Sequence, residues 1–178
     1  FSTEMEANTQ NRVQLLNELR SDLNLGRGLE LHYQPQVSPT RGQVVGCEAL
    51  IRWVKPNGAA VSPEVFIPLA EYTGLIVDIG DWVFAEACRQ IVRWDREGLP
   101  PFRVGINISA AQFREPDFVA KIAGVIASTG VSPKRLELEI TESVMLDDVD
   151  EARERLEQRQ READLERGRS DDDDRRPR

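Results

Sequence analysis

Three short segments of this chain, 44–52, 103–109 and 136–142, alternate apolar and polar side chains, and helical segments separate them along the sequence. This alternation is typical of β-strands, whose side chains point to opposite faces with a period of two residues. Because strands and helices follow each other in turn, the sequence predicts an α/β fold with a parallel sheet. In such folds, functional residues gather at the carboxyl ends of the strands.

The other elements follow from apolar spacing and from the residues that end helices and strands. A helix is predicted over about 3–25, and the glycines that follow it provide the stop. The next strand, over 29–35, contains a proline and must therefore end there or lie at a sheet edge. With a turn at 39–42, this strand and the first alternating segment predict an antiparallel hairpin. Further helices are predicted over 62–74, 78–97 and 117–130.

Each alternating segment carries a polar residue late on its strand, on the face opposite the apolar side chains: Glu48, Asn107 and Glu139. Two carboxylates and an amide oxygen are hard ligands that suit Mg²⁺ or Mn²⁺, whereas zinc prefers histidine or cysteine. The pattern therefore indicates a divalent metal site. It is equally compatible with a structural alternative, in which these groups hydrogen-bond to each other across a barrel interior.

Composition excludes several classes of partner and site. The formal net charge of -8 and the pI near 4.8 argue against a DNA-binding or RNA-binding protein, which needs a basic surface to contact phosphates. The two cysteines, Cys47 and Cys88, lie in apolar surroundings, which predicts buried thiols in a reducing cytoplasm rather than a disulfide or a zinc site. No apolar run is long enough to predict a membrane-spanning segment.

Five motifs lie on or beside these strands and helices. They are Tyr33-Gln34-Pro35, Glu48-Ala49-Leu50 with Arg52 just after it, Phe66-Ile67-Pro68-Leu69-Ala70-Glu71, Asn107-Ile108-Ser109, and Glu139-Ile140-Thr141-Glu142-Ser143. Taken together, they closely resemble the EAL domain of cyclic di-GMP phosphodiesterases. The resemblance covers about 19–157.

The resemblance implies a modified TIM-type (β/α) barrel whose first strand runs antiparallel to the others. It implies three metal ligands at the catalytic face, namely Glu48, Asn107 and Glu139. It further implies that Gln34 contacts a guanine, that Arg52 contacts a phosphate of the dinucleotide, and that Glu142 anchors a mobile loop. The implied reaction is the metal-dependent hydrolysis of one phosphodiester bond of cyclic di-GMP, which gives linear pGpG.

After the last predicted strand, the sequence departs from the family pattern. Family members continue with an Asp-Asp-Phe-Gly motif and then supply a lysine, a glutamate and a glutamine from later strands. Here, residues 150–178 contain eleven acids and nine arginines, with leucines at only two positions as large apolar residues. The four aspartates at 171–174 are not expected to bind metal, because such a charged block normally stays solvated. We therefore expect about the first half of the barrel, followed by a charged tail that is helical or disordered.

The predicted organisation has three parts. A linker helix at 1–25 would follow an upstream GGDEF-type domain, a partial, C-terminally truncated EAL domain would occupy 26–157, and a tail at 158–178, foreign to the domain, would result from a broken reading frame. Without the later ligands, the chain is predicted to be inactive as a phosphodiesterase. The alternative is a non-catalytic module that binds cyclic di-GMP or a partner protein. Half a barrel would also leave strand edges unpaired, which predicts self-association.

Overall fold

The computed structural model describes residues 2–40 and 42–140, so that the predicted tail and Glu142 lie outside the described residues. Within the described part, no helix combines the length and the hydrophobicity that crossing a bilayer requires. Helical segments separate β2, β4 and β5 along the chain, as predicted. Their bounds are α1 Ser2–Asn24, β1 Leu29–Val37, β2 Val44–Val54, β3 Ala60–Val61, α2 Pro63–Thr73, α3 Leu75–Arg96, β4 Arg103–Ile108, α4 Ala110–Phe113, α5 Phe118–Thr129, a 3₁₀ turn at Pro133–Arg135, and β5 Leu136–Ile140.

The strands form one mixed sheet in the order β1, β2, β4, β5, and the short β3 pairs with the carboxyl end of β2. The predicted hairpin is confirmed, because β1 and β2 are antiparallel, whereas β2, β4 and β5 are parallel to each other. Pro35 lies inside β1 and does not end it. Since β1 is an edge strand of the described sheet, the missing N–H of the proline is tolerated there.

Helix α3 supplies much of the core beneath the sheet. Its buried residues recur at helical spacing and pack with the apolar residues of the strands: Leu75, Ile76, Ile79, Val83, Phe84, Ala87, Cys88 and Ile91. The helix begins three residues earlier than predicted, at Leu75, because the buried apolar stripe extends to that residue and Gly74 alone provides the break after α2. Cys47 and Cys88 are free and buried, as predicted.

Besides the 3₁₀ turn, two elements were not predicted from the sequence, and both are too short to show a periodic pattern. The two-residue β3 extends the sheet beside Trp53 and Val54. The four-residue α4 follows β4 directly, and Ser109 caps it by accepting a 3.1 Å hydrogen bond from the backbone N–H of Gln112. As a result, the chain turns sharply just after the strand that carries Asn107.

Helix α1 packs against the sheet through its second half. Leu19 is 1% exposed and Asp22 is 2% exposed, so both belong to the interior. The carboxylate of Asp22 accepts a 3.0 Å hydrogen bond from the indole N–H of Trp53 and a 3.1 Å hydrogen bond from Nε of Arg27. These bonds attach the end of α1 to strand β2 and to the loop that leads into β1.

Candidate functional site

The polar face of the sheet brings the three predicted metal ligands together. Asn107 and Glu139 are register partners on β4 and β5, and each is the next-to-last residue of its strand. Glu48 lies opposite Gly105, which precedes Asn107 by two residues. The side-chain amide of Asn107 donates a 2.7 Å hydrogen bond to Oε1 of Glu48. This bond spans the two-residue offset between Glu48 and Asn107 along the strands.

The prediction that Glu48 lies late on its strand was wrong. Strand β2 continues for six residues past Glu48, to Val54. It does so because it pairs with β1 from one end to the other, whereas its ladder with β4 covers only the segment from Gly46 to Ala49. The long side chain of Glu48 compensates for the difference in height, since it reaches the amide of Asn107.

Gly105 leaves space for the carboxylate of Glu139. A Cβ atom at this position would overlap Oε1 of Glu139 and would lie 3.1 Å from its Cδ. Gly105 was not among the predicted site residues, although a glycine inside a strand pattern often marks a close approach of another group. Glu139 therefore extends over the backbone of β4, toward the strand that carries Glu48.

Electrostatics at this face favour a bound cation. Burial raises the pKa of Glu139, and the negative charges of Glu48 and Glu137 raise it further. Ionised Glu139 therefore experiences repulsion from its neighbours, which a divalent cation between the carboxylates would reduce. Within 2–40 and 42–140, no cluster of three or more histidine, cysteine, aspartate or glutamate side chains is arranged to hold a metal.

The donor chemistry nevertheless suits Mg²⁺ or Mn²⁺. Glu48 and Glu139 offer carboxylate oxygens, and Asn107 offers an amide oxygen, all of which are hard donors. The bond between Asn107 and Glu48 is the kind that the structural alternative predicted, but it uses the amide nitrogen. A cation would bind the amide oxygen of Asn107, which this hydrogen bond does not use. Three protein donors would provide about half of the six positions that Mg²⁺ fills.

The two predicted nucleotide contacts lie on the hairpin. Gln34 is the direct register partner of Glu48, and its side chain is exposed. Arg52 lies on the same face of β2, four residues beyond Glu48 and opposite Glu30. Its Nη1 donates a 2.9 Å hydrogen bond to the carbonyl of Ile51, and the residue is partly buried. Glu142, the predicted loop anchor, lies outside the described residues.

Two clefts among the described residues lie away from this polar face. Clefts of about 800 and 570 Å³ flank α1, and none of the predicted site residues lines either of them. Both clefts include Glu18 and Lys55, which form a 2.7 Å ion pair. The candidate site is defined by the chemistry and the register of its side chains.

Comparison with known proteins identifies the family. A family model described as the EAL domain matches residues 16–164. The match begins within the predicted linker helix and ends within the predicted tail. The bifunctional diguanylate cyclase/cyclic di-GMP phosphodiesterase MucR of Pseudomonas aeruginosa is 43% identical over 150 residues, which are 84% of this chain and 22% of MucR. The oxygen sensor protein DosP of Escherichia coli is 37% identical over 147 residues, which are 83% of this chain and 18% of DosP.

Solved structures agree with this assignment. The PaMucR phosphodiesterase in its c-di-GMP complex matches with a TM-score of 0.71 and 42% identity, over 77% of this chain and 55% of that chain. The FimX EAL domain of Xanthomonas citri in complex with c-di-GMP matches with a TM-score of 0.70 and 29% identity, over 82% of this chain and 55% of that chain.

The chain therefore spans about half of these solved chains and about a fifth of the two relatives. The predicted fold class, part of a TIM-type barrel of the EAL kind, is confirmed by these matches. The antiparallel first strand that the resemblance implied is also present. The chain belongs to the EAL-domain family of cyclic di-GMP signalling proteins and phosphodiesterases.

Proposed function

We propose that the polar face is part of a metal-dependent phosphodiesterase site for cyclic di-GMP. The observation that carries this proposal is the convergence of Glu48 and Asn107, 59 residues apart in sequence, at 2.7 Å, with Glu139 beside Asn107 in register. EAL phosphodiesterases are generally metal-dependent, and related EAL domains have been solved with c-di-GMP bound. In this proposal, the three side chains hold Mg²⁺ or Mn²⁺.

The other predicted residues then bind and orient the dinucleotide. The exposed amide of Gln34, opposite Glu48, offers both a donor and an acceptor to a guanine edge. The planar guanidinium of Arg52 offers paired donors that match phosphate oxygens. Glu142, which lies outside the described residues, is proposed to anchor a mobile loop. The metal, when bound, supplies an activated water molecule near neutral pH.

We further propose that the 178-residue chain alone binds cyclic di-GMP but does not hydrolyse it. Glu48, Asn107 and Glu139 provide donors for one metal ion, whereas a two-metal site needs further ligands. The lysines of the sequence, Lys55, Lys121 and Lys134, all precede the region in which the family supplies its later site residues. Loss of such charge stabilisation commonly lowers rates by orders of magnitude.

The test is to incubate the purified chain with cyclic di-GMP and excess Mg²⁺ or Mn²⁺, to follow linear pGpG by chromatography, and to measure binding by calorimetry. We expect metal-dependent binding without turnover. In Glu48→Ala, the loss of one carboxylate ligand should weaken Mn²⁺ binding about tenfold or more. Glu97→Ala, which removes an exposed carboxylate at the end of α3, should bind like the wild type.

The alternative outcomes are distinct. Turnover that disappears in Glu48→Ala would show that the chain is catalytic and that our inactivity proposal is wrong. Absence of both binding and turnover in a folded wild-type chain would contradict the nucleotide site. Binding of a protein partner without nucleotide would favour the second candidate, a non-catalytic interaction module.

A further inference from the structure

A buried glutamine attaches the turn after β4 to helix α3. Gln112 lies on α4 and is only 1% exposed. Its backbone N–H donates to Oγ of Ser109 at 3.1 Å, and its side-chain Nε2 donates to Oδ1 of Asp81 at 3.3 Å. Gln112 therefore donates its backbone N–H to the Ser109 cap and connects the turn to α3 through its side chain.

Helix α3 has a gap that accommodates this side chain. Gly80 lies beside Asp81, and a Cβ atom at position 80 would lie 2.5 Å from Cδ and 2.8 Å from Nε2 of Gln112. Both distances are too short for real contacts, so any side chain at position 80 would displace the whole amide group. The amide of Gln112 can reach Asp81 only because position 80 is a glycine.

The carboxylate of Asp81, which accepts the hydrogen bond from Gln112, also contacts helix α5. Oδ2 of Asp81 lies 3.2 Å from Nζ of Lys121 on α5, and Lys121 also lies 3.4 Å from Asp117. The rings of Phe113 on α4 and Phe118 on α5 pack edge to face at 5.7 Å. The turn after β4 is therefore fixed against both α3 and α5.

We infer that Gln112 is a positioning residue for Asn107, and this inference rests on the proposed role of Asn107 as a metal ligand. Asn107 is exposed, and Ser109, which follows it by two residues, is the cap that Gln112 holds. The ladder with β2 ends at Ile106, and only the ladder with β5 continues through Asn107 to Ile108, so that the Gln112 contact sets the direction in which the end of the strand leaves the sheet. That direction places the amide of Asn107 at 2.7 Å from Glu48.

The test uses paired variants and a signal from Asn107 itself. Asp81→Leu removes the acceptor of the Gln112 amide, whereas Asp81→Asn keeps an oxygen there, and Gln112→Met removes the donor. The side-chain amide resonances of Asn107, assigned by their loss in Asn107→Asp, are followed by ¹H–¹⁵N NMR in the full chain. Mn²⁺ affinity and thermal stability are measured in parallel. Val83→Ala, a buried change on α3 outside these contacts, controls for general destabilisation.

We expect Gln112→Met and Asp81→Leu to shift the Asn107 resonances in the same direction and to weaken Mn²⁺ binding about tenfold, a cost typical of groups that orient a metal ligand. Asp81→Asn and Val83→Ala should leave the Asn107 resonances and the Mn²⁺ affinity close to their wild-type values. Unmoved Asn107 resonances in Asp81→Leu would overturn the inference, as would equal shifts in Val83→Ala. If Gln112→Met does not fold, the two Asp81 variants decide. If the wild type binds no metal, the proposed function fails, while the Asn107 resonances still test the positioning.

Discussion

At the scale of single residues, the lack of a side chain at Gly105 determines where the carboxylate of Glu139 can lie. Glu139 extends over the Cα of Gly105, and any Cβ there would overlap its carboxylate. Only the end of a flexible side chain is in the way, so a larger residue would move Glu139 rather than disrupt the strand. The expected consequence of a substitution is therefore a change in metal affinity and not in folding.

We predict that Gly105→Ala weakens Mn²⁺ binding several-fold and leaves the melting temperature nearly unchanged. Metal titration monitored by electron paramagnetic resonance, together with thermal unfolding, would measure both quantities. Gly124→Ala on α5 is a matched control, because a Cβ there meets no atom within 4 Å. It should raise stability by about 0.5–1 kcal/mol through helix propensity and leave binding alone. A melting temperature that falls sharply in Gly105→Ala would show that Glu139 cannot move aside.

The candidate site was only partly predictable from sequence, because a period-two pattern specifies the face of a strand on which a residue lies but not the register between strands. Parity along each strand correctly assigned Glu48, Asn107 and Glu139 to one face. Parity could not give the position of Glu48 along the strand axis relative to Asn107, because register between distant strands depends on tertiary pairing. Nor could it reveal Gln112, whose function depends on a gap beside Gly80 on another helix.

At the scale of elements, α1 is attached to the strand that carries Glu48 and Arg52. The attachment is a buried carboxylate, Asp22, which accepts hydrogen bonds from Trp53 on β2 and from Arg27. Apolar spacing predicted the helix nearly to the residue. It could not predict this contact, because an aspartate at that position looks like an ordinary surface residue until the partner strand is placed.

We predict that Asp22→Ala lowers the free energy of unfolding by about 2 kcal/mol, because it leaves the buried indole N–H of Trp53 without an acceptor. Urea denaturation followed by circular dichroism would measure the loss. Glu71→Ala, which removes an exposed carboxylate from α2, should change stability by less than about 0.5 kcal/mol. Equal effects of the two substitutions would mean that the bond to Trp53 contributes nothing to stability.

At the scale of the whole molecule, the core buries groups that resist ionisation. Burial raises the pKa of Cys88 to about 11 from its ordinary value of 9.0. Burial also raises the pKa of Cys47, and it raises the pKa of Tyr33, with a further contribution from the charge of Glu86. Above pH 9, the unfolded chain therefore releases protons that the folded chain retains. Stability must fall as the pH rises through this range.

We predict that the wild type loses about 1 kcal/mol more stability than Cys88→Ala between pH 8 and pH 10, since the variant lacks one of the groups concerned. Urea unfolding at both pH values would measure the difference. Ile91→Val, a buried and non-titratable change on the same helix, should lose as much as the wild type. An identical pH dependence in Cys88→Ala would show that this thiol ionises equally easily in both states.

The antiparallel hairpin has a consequence for the order of folding. Strands β1 and β2 are joined by a short connection, whereas β4 and β5 each join the sheet only after two intervening helices. Closing a short loop costs less entropy than joining distant segments, so the hairpin should form first. Gln34 and Glu48 would then lie side by side before Asn107 and Glu139 arrive. If these residues bind metal as proposed, metal capture would mark the last stage of assembly, and a newly synthesised chain would stay metal-free until these strands have paired.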